Sequence, residues 1–180
     1  MFSLITIILS ILLLIAACHD IRQYRIPNAL ILLGVILGLL LNILVPQYMG
    51  GLGFSMSLAG LGVGLVILFP LYLLRAMGAG DIKLMAMIGA FVGPTSMLPI
   101  TLYILLAGGI LALSVVLLRG KLFRLLENLK IMLLMHFAGS SNTSFSRSRT
   151  LPESTGKLPY GVAIAAGTVV YLVTTLRIAA

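Results

Sequence analysis

The sequence predicts an all-α integral membrane protein: a bundle of six transmembrane helices with one cytoplasmic amphipathic helix. Three observations lead there. Of the 180 residues, 61% are hydrophobic and the mean hydropathy is +1.20, whereas soluble domains stay near one half apolar. The apolar residues fall in six runs, at about 3–18, 29–45, 53–74, 82–93, 97–118 and 160–178, most of them near the roughly 20 residues with which a helix crosses about 30 Å of hydrocarbon. The twelve Lys and Arg behind the formal charge of +8 lie almost entirely between these runs. That pattern points to topology and membrane lipids, not to nucleic acid.

The first run, within "MFSLITIILSILLLIAACHD", has no Lys or Arg before it, so it lacks the charged start of a signal peptide and reads as a retained helix. Assigning the connecting segments alternately to two sides sorts the charges. Arg22, Arg25, Arg75, Lys83, Arg119, Lys121, Arg124, Lys130, Arg147, Arg149 and Lys157 share one side, and only Arg177 falls on the other. By the positive-inside rule the first side is cytoplasmic. Residues 19–28, 75–83 and 119–158 then face the cytoplasm and both termini lie outside, while the opposite turns, "VPQYMGG" and "VGPTS", are uncharged. Within the long segment, "KLFRLLENLKIMLLMHF" has the spacing of an interfacial amphipathic helix. The Ser/Thr-rich "GSSNTSFSRSRTLPEST" that follows has the composition of a tether. With no internal repeat and no second soluble region, residues 1–180 read as a single membrane domain.

Cys18, His19 and His136 are the only cysteine and histidines, too few for a zinc or iron site, so neither a metal nor another cofactor is expected. Four acidic residues remain. Glu127 belongs to the amphipathic segment and Glu153 to the tether, where solvated surface explains them. Asp20 and Asp81 are different. Counting about 1.5 Å per residue puts Asp81 roughly 20 Å from Pro94 and Asp20 roughly 24 Å from Leu4, both short of a full crossing. A carboxylate at such depth costs of order 3 kcal/mol and normally faces the bundle interior. The bland alternative is an interfacial acid paired with Arg22, Arg25 or Lys83. Two aspartates at one height on different helices weigh against it.

Local context adds to this. In "GAGDIK", Gly78 and Gly80 keep side chains away from Asp81 and let a substrate backbone approach; ordinary helix packing would also explain them. In "DIRQYRIPN", Pro27 and Asn28 stand where a helix begins. Each motif alone is a weak signal.

Together, D-x-R-x-x-x-I-P-N and G-x-G-D-x-K resemble the paired signature of the type IV prepilin peptidases, membrane aspartic proteases of the GxGD class. A third stretch, "KLPYGVAIAAG" at 157–167, is similar to the proline-aromatic-glycine segment that opens the last span of that family. The resemblance implies that Asp20 and Asp81 form a catalytic pair, that Gly78 and Gly80 shape the site, and that Arg25, Ile26, Pro27, Asn28 and Lys83 support it. It implies as substrate a prepilin or pseudopilin, whose basic leader is removed at the cytoplasmic face of the bacterial inner membrane, and as partner the pilus-assembly machinery. The short form resembles the peptidases of Flp/Tad-type pili. Long members carry paired cysteines and methylate the new N-terminus; here the first run starts almost at Met1 and holds the sole cysteine, so methyl transfer is not expected.

Two aspartates hydrolyse a peptide when one is ionised and the other protonated, and like charges a few Å apart share a proton. Asp20 ends the first span and Asp81 starts the fourth, so the helix dipoles predict Asp81 as base and Asp20 as proton-bearing acid. A small ion- or proton-coupled transporter subunit using the same aspartates is the chief alternative. A non-catalytic pilus-assembly membrane protein is another.

Overall fold

A computed structural model of the chain describes residues 4–74, 77–118 and 159–178. Among these, every regular element is helical. Met1–Gly108 with Pro159–Ala180 form one compact unit; Gly109–Leu158 form a second, described only where residues 109–118 continue a helix. The predicted amphipathic helix and tether, and Arg75, lie outside the described residues.

Helix α1 (Leu4–Gln23) buries Ile5, Leu9, Leu12, Leu13, Ala16, Ala17 and Asp20, one stripe at helical spacing, and exposes Ile7, Ile11, Leu14 and Ile15. Both faces are apolar because lipid is as apolar as a protein core. The helix runs past the predicted end of the first span at 18, so Asp20 sits in its last turn. It stops where Tyr24 turns to φ 50, its N–H still bonded to the Asp20 carbonyl at 2.9 Å. For a residue with a side chain that conformation costs about 1–2 kcal/mol.

Pro27 (φ −62, ψ 128) precedes α2 (Asn28–Leu44) and offers its carbonyl to the Leu30 and Ile31 N–H groups at 3.1 and 3.3 Å. It thus stands one position before the first helical turn. A 3-10 turn, Gln47–Met49, closed by left-handed Gly50, leads to α3 (Phe54–Ile67). The predicted run 53–74 is interrupted at Leu68 before α4 (Phe69–Leu73), because Pro70 has no N–H for the carbonyl of Val66. Helix α5 (Ala79–Leu118) is broken at Gly93, φ 75 and ψ 174, and Pro94 follows. The turn predicted there between two spans is therefore a single non-helical residue. Helix α6 covers Tyr160–Ile178. Leu4–Gln23, Phe54–Leu73 and Ala79–Leu118 are long and apolar enough to cross a membrane, and α2 and α6 are shorter apolar helices.

In the first unit α1 packs on α6 and α2, and α2 on α3. The segment of α5 before Gly93 is buried on almost every side: Leu84, Met85, Met87, Ile88 and Phe91 belong to the core, and Ile82 is buried as well. Glycine makes room for it. A methyl on Gly89 would lie 2.6 Å from the Gly60 carbonyl carbon, and one on Gly64 2.9 Å from that of Met85, so α3 and α5 touch backbone to backbone. On the other side, a methyl on Gly38 would strike the Phe91 ring at 2.9 Å.

The Gly93–Pro94 break leaves carbonyls without their usual helical donors. Buried Asn42 donates to the Ala90 and Phe91 oxygens at 2.8 and 3.2 Å and accepts from the Leu52 N–H at 3.0 Å, while Ser57 Oγ donates to Ala90. An orphaned buried carbonyl costs about 1–3 kcal/mol. These two side chains fix the far end of the segment whose near end carries Asp81.

Candidate active site

Asp81 is the third residue of α5. Its Oδ2 accepts the Gly78 N–H at 3.0 Å while its own N–H bonds back to the Gly78 carbonyl at 3.1 Å. This is half of a capping box, in which an acid at the third helical position reaches back to the residue before the helix. A methyl on Gly78 would lie 3.4 Å from Oδ2, at the edge of ordinary contact. Gly80 looks elsewhere. A methyl on it would meet Ile26 at 3.7 Å, an ordinary contact, so packing does not require glycine at 80 but does set the two motifs against each other.

Asp20 arrives from α1 and is only 5% exposed. Its Oδ2 accepts the Gly161 N–H at 2.7 Å, a contact across 141 residues of sequence, and the Val162 N–H also bears on the carboxyl group. These are first-turn donors of α6, which its own helix cannot satisfy. Asp20 therefore caps α6 from another helix, and it lies close enough to Asp81 for its charge to act there.

Of the predicted supporting residues, Lys83 and Asn28 come together: the Lys83 ammonium donates to Asn28 Oδ1 at 3.1 Å and ties the start of α5 to the start of α2. Pro27 sets the entry of α2. Arg25 is exposed and, among the described residues, joins neither aspartate. No ion pair links Asp20 or Asp81 to Arg22, Arg25 or Lys83 among the described residues, so the interfacial ion-pair explanation does not hold there. Asp81 Oδ1 has no protein partner among them.

The other nucleophile types are elsewhere. Ser57 is held by the Ala90 carbonyl at the far end of α5's first segment, and the His19 ring faces the Ile15 carbonyl at 3.3 Å. Sequence reasoning gave no role to Gly161, although it lies in the "PYG" stretch already noted. Its usable signal is position, since a glycine in the first turn of a helix can present its N–H with no side chain in the way.

Two buried or half-buried carboxyl groups, held by backbone donors on separate apolar helices, define a membrane protein with an acid pair at one end. A model of the type IV leader peptidase family matches residues 7–113, more than half of the chain and including both aspartates, and the chain belongs to that family. It is a leader-peptidase-type hydrolase with the helices of a membrane protein. No curated protein and no solved structure matches it. The matched region stops short of α6.

Proposed function

We propose that the protein is an aspartic endopeptidase that removes the basic leader of type IV, Flp-like prepilins at the cytoplasmic face of the bacterial inner membrane, with Asp20 and Asp81 as the catalytic pair. The observation that carries this is their placement: two carboxyl groups from different helices within electrostatic reach, neither neutralised by a base among the described residues. In the reaction the ionised aspartate takes a proton from water as the water oxygen bonds to the scissile carbonyl carbon. The protonated aspartate gives its proton to the carbonyl oxygen. The tetrahedral diol then collapses: the aspartate that took the water proton gives it to the amide nitrogen, the other takes a proton from a diol hydroxyl, the C–N bond breaks and the amine leaves, with the pair restored. Gly78 and Gly80 leave the substrate backbone room to approach, and the Lys83–Asn28 bond, with Arg25 and Pro27 nearby in sequence, braces the rim. The Lys and Arg asymmetry supports six crossings with both termini outside and this end of the bundle at the cytoplasm.

The competing explanation is structural, because each aspartate caps a helix. Asparagine separates the two, since its side-chain oxygen caps a helix about as well as aspartate but cannot exchange a proton. Asp20→Asn and Asp81→Asn should each remain inserted and folded yet fail to cleave a prepilin in a purified reaction. Full cleavage by either folded variant would remove the pair from the mechanism. A transporter or a non-catalytic assembly protein would show no cleavage even with the native sequence.

A further inference from the structure

Three other features of the molecule are already accounted for or carry less. The Asn42–Ser57 cluster is fully satisfied as a helix cap, the open groove on α3 at Ala59, Gly62 and Val66 is lined by apolar residues with nothing to show what covers it, and Lys83 has its partner in Asn28. The contact between α6 and Asp20 is different in kind.

From this contact we infer that Gly161 is a positioning residue of the active site, and that the start of α6, which lies beyond the matched residues 7–113, is a third element of it. The inference rests on the assignment of Asp20 to the catalytic pair. Asp20 is buried, and the α6 backbone supplies every hydrogen bond to its carboxyl group among the described residues. The slot is tight. A methyl on Gly161 would stand 2.8 Å from Asp20 Oδ2 and 3.1 Å from both Cβ and Cγ, so any larger residue pushes the carboxyl group off its donors. Glycine is required at 161 because the N–H and the carboxyl group must meet where a side chain would otherwise stand. The consequence is that α6 sets the distance from Asp20 to Asp81, and thereby whether the pair can share a proton across a bound water. Misplacing a catalytic group by about 1 Å lowers rate by about 10²-fold.

The test uses the full-length protein in lipid nanodiscs with a synthetic prepilin carrying its basic leader. Gly161→Ala should lower kcat by about 10²-fold with KM little changed, and should displace the pH–rate profile, which a loss of folded protein alone would not do. Replacing the Gly161 residue by glycolic acid, an ester that removes the N–H and adds no bulk, should lower kcat roughly tenfold with the same displacement. It decides the matter if the alanine variant does not fold. Gly167→Ala is the control, since its methyl would meet the Ile104 backbone at 2.6 Å in the same helix but away from Asp20; it should reduce the yield of folded protein and leave the pH profile in place. A native kcat and pH profile for the ester variant, with Asp20→Asn inactive, would overturn the role of Gly161 and leave the pair standing. Activity in Asp20→Asn would overturn both.

Discussion

At the scale of single residues, the carboxyl groups of the proposed catalytic pair already have backbone partners. Oδ2 of Asp81 closes a turn and Oδ2 of Asp20 closes a helix, and these fixed bonds hold each group in one orientation before any substrate arrives. Preorganisation of this kind lowers the reorganisation needed during reaction. The proposed chemistry uses the two carboxyl groups and water alone. Cleavage is accordingly predicted to persist in strong chelator; its loss there, with recovery on adding zinc, would contradict a two-aspartate mechanism. The Lys83–Asn28 bond is exposed. A double-mutant cycle of Lys83→Ala and Asn28→Ala, followed by thermal unfolding, should return a coupling below about 1 kcal/mol. A value several times larger would mean that the bridge is a structural fastening of the bundle.

At the scale of elements, the segment of α5 before Gly93 is fastened at both ends. Its start is capped by Gly78 and Asp81, and its end by Asn42 and Ser57 across the Pro94 break. Asn42→Leu leaves two buried carbonyls with poorer partners and an unpaired Leu52 N–H, so it should destabilise the protein by about 2 kcal/mol or more, seen as a lower unfolding temperature in detergent. Thr101→Val is the comparison. That hydroxyl only bonds back to the Met97 carbonyl of its own helix at 2.7 Å, so its loss should change little. Equal effects of the two substitutions would show that the break needs no cap. Gly89→Ala, which forces α3 from α5, should be at least as damaging as Asn42→Leu.

At the scale of the whole molecule, orientation decides which compartment the acid pair meets. In the proposed orientation the positively charged segments, residues 19–28, 75–83 and 119–158, face the cytoplasm, where a basic leader would remain. Single cysteines on a Cys18→Ser background can test this. Ser144→Cys should resist a membrane-impermeant thiol reagent in intact cells and react once the membrane is opened, whereas ready labelling from outside would reverse the topology and the proposed site of cleavage with it. The peptidase pH profile is predicted to be a bell whose two limbs belong to the coupled pair and not to either aspartate singly. A profile with one limb across the whole range of stability would mean that only one carboxyl group takes part.

Much of this was legible in one dimension. The apolar runs marked the helices, Gly93–Pro94 marked the break, and the scarcity of acids singled out Asp20 and Asp81, because a charge inside an apolar helix is too expensive to be incidental. In the folded chain Asp20 falls on the buried stripe of α1 that begins at Ile5. The sequence by itself determined an all-helical membrane chain and singled out the two aspartates of the proposed pair. What only the tertiary structure decided is how those groups are held. From the sequence, Asp20 stood at the unfavourable C-terminal end of α1, which cast it as the acid. In the folded chain the N-terminus of α6, 141 residues away, meets it with free N–H groups and offsets that end of α1. Helix dipoles act locally and can be read along a chain; the donor that answers a buried carboxylate comes from whichever backbone packs against it, and that is fixed only when the helices assemble.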